Sequence, residues 1–205
     1  MSGLALGVVV LVLAQASVPP AQTGRTPVAP GLSWEEAEVV ARTLRRIDRR
    51  LRSGRPASKG PVVVTEGQIN SFVNLSLADK LPPEVSGFAL RLEKGRVAAS
   101  ATVDLDRLRT KLPEGGAPMF LSLLSGLVPV ELRGRLQGAR GMGRFELEEA
   151  RIGGVSVPPS ALAQMVSLAT RDDENPSGVD IAAPMELPWT ARTVRVEPGR
   201  LLVGF

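Results

Sequence analysis

Apolar and polar positions alternate along this chain in two rhythms, and each change of rhythm marks an element. From Ser33 to Arg52, Trp34, Ala37, Val40, Ala41, Leu44, Ile47 and Leu51 recur at gaps of three and four, the spacing of one face of an α-helix. Ser33 and Glu36 form an S-x-x-E capping box, in which each side chain is expected to satisfy the other residue's exposed N–H. Val62–Val64 reads as a short strand. Thr65 and Gln68 then open a second helix through a T-x-x-Q box. Ile69, Phe72, Val73, Ser76, Leu77 and Leu81 trace its buried side as far as the Pro82-Pro83 break.

There the period drops to two. Phe88, Leu90 and Leu92 alternate with Ala89, Arg91 and Glu93, and Val97, Ala99, Ala101, Val103 and Leu105 alternate with Ala98, Ser100, Thr102 and Asp104. These are half-buried antiparallel strands, joined at Lys94-Gly95. Val128, Val130, Leu132 and Leu136 oppose Glu131, Arg133 and Arg135, and Phe145 and Leu147 oppose Arg144, Glu146 and Glu148 across a Gly138–Gly143 turn. Pro159 and Ser160 suit a helix start, with Leu162, Met165, Val166 and Ala169 at helical spacing. The last hairpin carries Val194, Val196, Leu201 and Val203 around Pro198-Gly199. Met119–Leu127, MFLSLLSGL, has almost no polar face, so a helix there is either buried or touches something apolar.

One hairpin occurs twice. Leu90–Val97 is LRLEKGRV and Val194–Leu201 is VRVEPGRL, so Arg91, Glu93, Gly95 and Arg96 match Arg195, Glu197, Gly199 and Arg200. Each copy follows an apolar helical stretch, Glu66–Lys80 or Ser160–Thr170, which predicts two helix-plus-hairpin halves with Gly95 and Gly199 in equivalent turns. The fold class expected is α+β: a curved antiparallel sheet with helices packed on one face. Its inward positions include small residues, Ala99, Ala101, Gly134 and Gly143, a hint of unfilled volume.

The N-terminus reads differently. Residues 2–13 are apolar and uncharged, and Ala14-Gln15-Ala16 is an A-x-A cleavage signature. Residues 1–16 are therefore expected to be a secretory signal peptide or an uncleaved anchor, 17–31 a flexible linker, and 32–205 one domain, periplasmic or secreted.

Composition narrows the chemistry. The 205 residues include no Cys, His or Tyr. Thiolate and imidazole chemistry are excluded, along with a Ser-His-Asp triad and the usual zinc ligands. No metal and no cofactor are expected. The acidic candidates Asp104, Asp106, Asp172, Asp173 and Glu174 lie on a strand end and a polar turn, so no enzyme is expected. Net charge is +4, and five Phe and two Trp offer few surfaces for base stacking, so no nucleic-acid partner is expected. Arg45, Arg46, Arg49 and Arg50 crowd the end of the first helix. They read as a solvated helix end complementing the dipole or as a contact for an anionic membrane surface. Asn70 and Asn74, one turn apart, read as backbone partners or as headgroup contacts.

VVVTEGQINSFVNLSL, the LRLEKGRV hairpin, RIGGVSVPPSALAQMV and MELPWTARTVRVEPGRLLV occur in this order over Val62–Val203. The order resembles the YpmS-like and LmeA-like families of exported bacterial proteins. The resemblance implies a fold of the tubular lipid-binding (BPI-like) type, in which a curved sheet wraps a helix and holds an acyl chain. It implies no catalytic residues. The Arg-rich first helix departs from the pattern and is expected to block or extend the groove.

Together these features lead to an expected site for an apolar lipid tail, with oligomeric state left open. One wall is the sheet face of Phe88, Leu90, Leu92, Val97, Ala99, Ala101, Val103, Val130 and Leu132. The opposite wall is Ile69, Phe72, Val73 and Leu77 of the second helix with Leu162, Met165 and Val166 of the third. Met119, Phe120 and Leu123 are expected at the mouth. The competing expectation is a structural or protein-interaction module of the cell envelope with a filled core, distinguished by the absence of a large apolar cavity.

Overall fold

The computed structural model describes residues 29–110, 124–169 and 176–205. Its elements in chain order are α1 (Trp34–Arg52), β1 (Val62–Thr65), α2 (Glu66–Ser71), β2 (Val85–Glu93), β3 (Arg96–Asp104), α3 (Leu105–Arg109), β4 (Leu127–Ala139), β5 (Met142–Ile152), β6 (Val155–Ser156), α4 (Pro159–Ala169), β7 (Met185–Glu186), β8 (Thr193–Glu197) and β9 (Arg200–Gly204). The strands form one nine-stranded antiparallel sheet, ordered β1-β9-β8-β4-β3-β2, with β5 on the other side of β4 and the short β6 and β7 paired to β5. The fold is thus α+β. The expected alternation holds: in β3, Val97, Ala99, Ala101 and Val103 are buried while Arg96 and Ser100 are exposed.

The two related hairpins meet turn to turn. β4 is long enough to hold both on one side: Leu127–Arg135 pairs with β3, and Gly138 beyond it pairs with Val194 of β8. Where the hairpins abut, Gly95 N–H donates to the Val196 carbonyl at 3.0 Å and Gly199 N–H donates to the Leu92 carbonyl at 2.9 Å. Leu92 and Val196 are matching positions of the repeat, so the two bonds are the same contact made in both directions. Gly95 and Gly199 have φ of +70° and +72°, a backbone shape that favours glycine. The repeat seen in the sequence is therefore a structural one at the hairpins.

The helices of the two halves are not equivalent. α2 runs antiparallel along the free edge of β2. Glu66 Oε2 accepts from Leu92 N–H at 2.7 Å, Asn70 Oδ1 accepts from Leu90 N–H at 2.7 Å, and Asn70 Nδ2 donates to the Leu90 carbonyl at 2.9 Å. Asn74 Nδ2 donates to the Phe88 carbonyl at 2.7 Å. The match is metric. Four helical residues advance about 6.0 Å and two strand residues about 6.8 Å, so a polar residue every fourth position meets every second strand residue. An edge that would otherwise invite strand pairing is covered by side chains.

This docking also changes the helix. One uniform helix was expected as far as Lys80, but the chain widens to a π turn over Phe72–Ser76 and tightens to a 3-10 turn over Ala78–Lys80. Asn74 Nδ2 donates to the Asn70 carbonyl at 2.9 Å, and Leu77 N–H reaches the Phe72 carbonyl, five residues back. The side-chain amide occupies a main-chain acceptor and the ladder slips by one residue.

The first capping box is also rewired. Ser33 Oγ accepts from Glu35 and Glu36 N–H, but Ser33 N–H goes to Ser71 Oγ at 3.0 Å. Ser71 Oγ in turn donates to Glu36 Oε2 at 3.2 Å. The buried Ser71 hydroxyl thus stands between the two residues of the box and ties α1 to α2. The second box, Thr65 with Gln68, closes as expected. β3 ends earlier than expected: Leu105 starts α3, because Asp104 caps it by accepting from Asp106 and Arg107 N–H.

Candidate functional site

The interior divides into three apolar clusters, and they sort the expected site residues. The first lies under α1: Phe72 and Leu77 pack against Ala37, Val40, Ala41 and Leu44. Phe72 and Leu77 therefore pack toward α1 and not into the β2–β3 cluster, and the expectation that Ile69, Phe72, Val73 and Leu77 form one wall is corrected. A helix sandwiched between a sheet and a second helix must present apolar groups on both sides. α1 covers the back of α2 and contributes no side chain to the cavity described below.

The second cluster joins Ile69 of α2 and Val73 of the π turn to Phe88, Leu90, Leu92, Val97, Ala99, Phe145, Val196 and Leu201. Here the small-residue hint is corrected. A Cβ at Gly134 would collide with the Phe145 ring and the Glu146 carbonyl. One at Gly143 would sit 2.8 Å from Leu187 Cδ2, and one at Gly138 3.1 Å from Leu187 Cδ1. These glycines make room for large side chains and leave no hollow. β5 assists with a bulge opposite Arg133/Gly134. It turns Glu148 outward, where its carboxylate meets Arg96 at 2.9 Å and Arg135 at 2.7 Å.

The third cluster contains the candidate site. A cavity of about 60 Å³ lies between β3, β4 and β5, α3 and α4. Eight of the expected residues line it: Phe88, Ala99, Ala101, Val103, Val130, Leu132, Leu162 and Val166. The others do not. Leu90, Leu92, Val97, Ile69 and Val73 belong to the filled cluster, and Met119, Phe120 and Leu123 lie outside the described residues, as does the side chain of Met165.

Five lining residues were not anticipated: Ser100, Leu105, Leu108, Ile152 and Ile181. Leu105 and Leu108 share a helix face at i, i+3, and Ile152 continues the buried parity of β5 from Ala150. Those signals were legible. Ile181 follows a polar turn with no periodic context. Apart from Ser100 every lining residue is apolar, and Ser100 is exposed on the opposite side of β3. Such a surface can bind only by apolar burial.

The polar candidates have structural partners. Asn70 and Asn74 hold α2 to β2. Asp104 caps α3, and Asp106 pairs with Arg109 at 3.1 Å and accepts from Gly126 N–H at 3.0 Å. Asp172, Asp173 and Glu174 lie outside the described residues. On α1, Arg45 pairs with Glu38, and Arg50 Nε donates to the Pro56 carbonyl at 2.7 Å, while Arg46 and Arg49 stand exposed. Among the described residues no group of three or more acidic, His or Cys side chains is placed to hold a metal, and no helix is long and apolar enough to cross a membrane.

In its class the chain is an α+β protein with one open antiparallel sheet and an apolar crevice beneath its last helix. No family model matches the chain, no curated protein matches it, and no solved structure matches it.

Proposed function

We propose that the protein is a non-enzymatic, exported lipid-binding protein of the tubular lipid-binding type, which takes the end of an apolar tail between α4 and the face of β3–β5. One observation carries this reading: the cavity lies where Ala99 and Ala101 leave the sheet short of side-chain volume beneath Leu162 and Val166. The driving force is burial, about 0.8 kcal/mol for each CH₂ removed from water. The apolar start of the chain and Ala14-Gln15-Ala16 support export. Exposed Arg46 and Arg49 are suited to an anionic membrane surface, with Arg45 already engaged by Glu38.

At about 60 Å³ the cavity is well below the roughly 300–1,000 Å³ of small-molecule sites. Entry of a tail therefore requires α4 to move off the sheet. The same figure favours a second reading, a filled interaction module of the cell envelope. Native mass spectrometry of the purified exported protein, followed by lipid extraction, separates the two. The lipid reading expects a mass increment that organic extraction removes and that returns with added fatty acid. An unliganded mass throughout, unchanged by added fatty acid, would leave the module.

A further inference from the structure

The wet face of the sheet carries a second concavity, open and polar, of about 540 Å³. It is separate from the apolar cavity and lies on the other side of β3. Register defines its layout. Arg91, Ala98, Arg133 and Glu149 form one row across β2, β3, β4 and β5, and Ala89, Ser100, Glu131 and Arg151 form the next. The floor is therefore small: Ala98 and Ser100, with Ala89 beside them.

Around this floor the charges are not equally committed. Arg133 pairs with Glu93 at 3.6 Å, and Arg151 with Glu149 at 2.8 Å. Arg96 and Arg135 share Glu148, Arg144 pairs with Glu146, and Asp104 with Arg107. Among the described residues, Arg91 and Glu131 are the charged side chains on β2–β5 without an ion pair, and both line the concavity, with Glu66 at its edge accepting from Leu92 N–H. They lie two strands apart and one row out of step, with Cα atoms roughly 12 Å apart from strand spacing and rise, on opposite sides of the small floor. A free cation and a free anion that do not reach each other leave a gap for a ligand that brings the complementary pair.

We propose that this concavity binds a short zwitterionic peptide, its carboxylate on Arg91 and its ammonium on Glu131, with Ala98 and Ser100 beneath the chain. The charge arrangement selects a dipolar ligand over a simple anion, because an anion on Arg91 would bring no counter-charge to Glu131 across the floor. The span selects a short peptide over a single amino acid: two extended residues cover about 7 Å, and the two side chains reach inward across the remainder. Arg is the residue suited to a planar carboxylate.

The test is calorimetric titration of the whole chain with alanyl-alanine, its N-acetyl form and its C-terminal amide. Free dipeptide is expected to bind, and each block is expected to weaken binding about tenfold, as for loss of a charged hydrogen bond. Arg91→Met should bind the amide and the free peptide equally. Glu131→Gln should bind the N-acetyl and free peptides equally. Both side chains are exposed, so the variants should melt with the parent. Amide resonances of Ala98 and Ser100 should shift on titration, while fatty-acid binding at the opposite face stays unchanged. No heat and no shift at millimolar dipeptide would overturn the assignment. So would displacement by inorganic phosphate that is indifferent to Glu131→Gln, which would make this an anion contact only.

Discussion

Two stretches of one sheet face replace large apolar residues by small ones, and they end differently. At the hairpin end, Gly134, Gly138 and Gly143 lie under the Phe145 ring and the Leu187 side chain, which occupy the space. At the α4 end, Ala99 and Ala101 face Leu162 and Val166 across a cavity of about 60 Å³. Small inward residues are therefore no sign of a hollow by themselves. What decides is whether a neighbouring strand or loop carries a bulky side chain of the right parity to fill the gap. Phe145 does so from the strand adjacent to Gly134. At the same register in the other cluster β5 presents Ala150 opposite Leu132, and nothing fills the space over Ala101.

Substitutions separate the two ends, and the largest effect belongs to the filled one. Phe145→Ala should cost about 3–5 kcal/mol, the usual range for a buried aromatic truncated to alanine, read as a fall in the denaturant midpoint at constant m-value. A loss below about 1 kcal/mol would mean that Phe145 does not fill this end. Asn70→Ala comes next. It leaves the Leu90 N–H and carbonyl without their helix partner, at about 1–3 kcal/mol for each buried group so exposed. Hydrogen exchange should then accelerate at Leu90 before the rest of β2. Unchanged exchange there would show that α2 does not hold the edge.

Gly134→Ala should cost about 1–3 kcal/mol by overpacking. Combined with Phe145→Ala it should cost less than the sum, because the clash with the ring is gone while that with the Glu146 carbonyl stays. Strict additivity would place the two residues out of contact.

The sequence disclosed the strands better than the helices, for a physical reason. Alternation along β3 reports one property, the face, and a sheet has only two. The helical stretch from Glu66 to Leu77 must satisfy three neighbours: α1 through Phe72 and Leu77, the β2–β3 cluster through Ile69 and Val73, and the β2 edge through Glu66, Asn70 and Asn74. Its apolar stripe reads the same whichever cluster each residue joins, so Phe72 and Leu77 were placed on the wrong wall. Ser71 carries no signal at all, because a buried hydroxyl that relays between Ser33 and Glu36 depends on a contact 35 residues away in the chain. The paired turns at Gly95 and Gly199 were legible because the repeat is local. Their mutual hydrogen bonds were not, because they join residues about a hundred positions apart in sequence.

The smallest structural effect belongs to the α4 end and tests the functional claim. Ala101→Leu adds three carbons into the cavity of about 60 Å³ beneath Leu162 and Val166. Filling an apolar cavity without forcing its walls should raise stability by up to about 0.5–2 kcal/mol, whereas overpacking would cost about 1–3 kcal/mol. The decisive measurement is fatty-acid binding to parent and Ala101→Leu side by side, with melting temperature followed in the same samples. The parent is expected to bind and Ala101→Leu not to bind, with Ala101→Leu melting no lower than the parent. Equal binding by both proteins, or none by the parent, would contradict an apolar site between α4 and β3–β5.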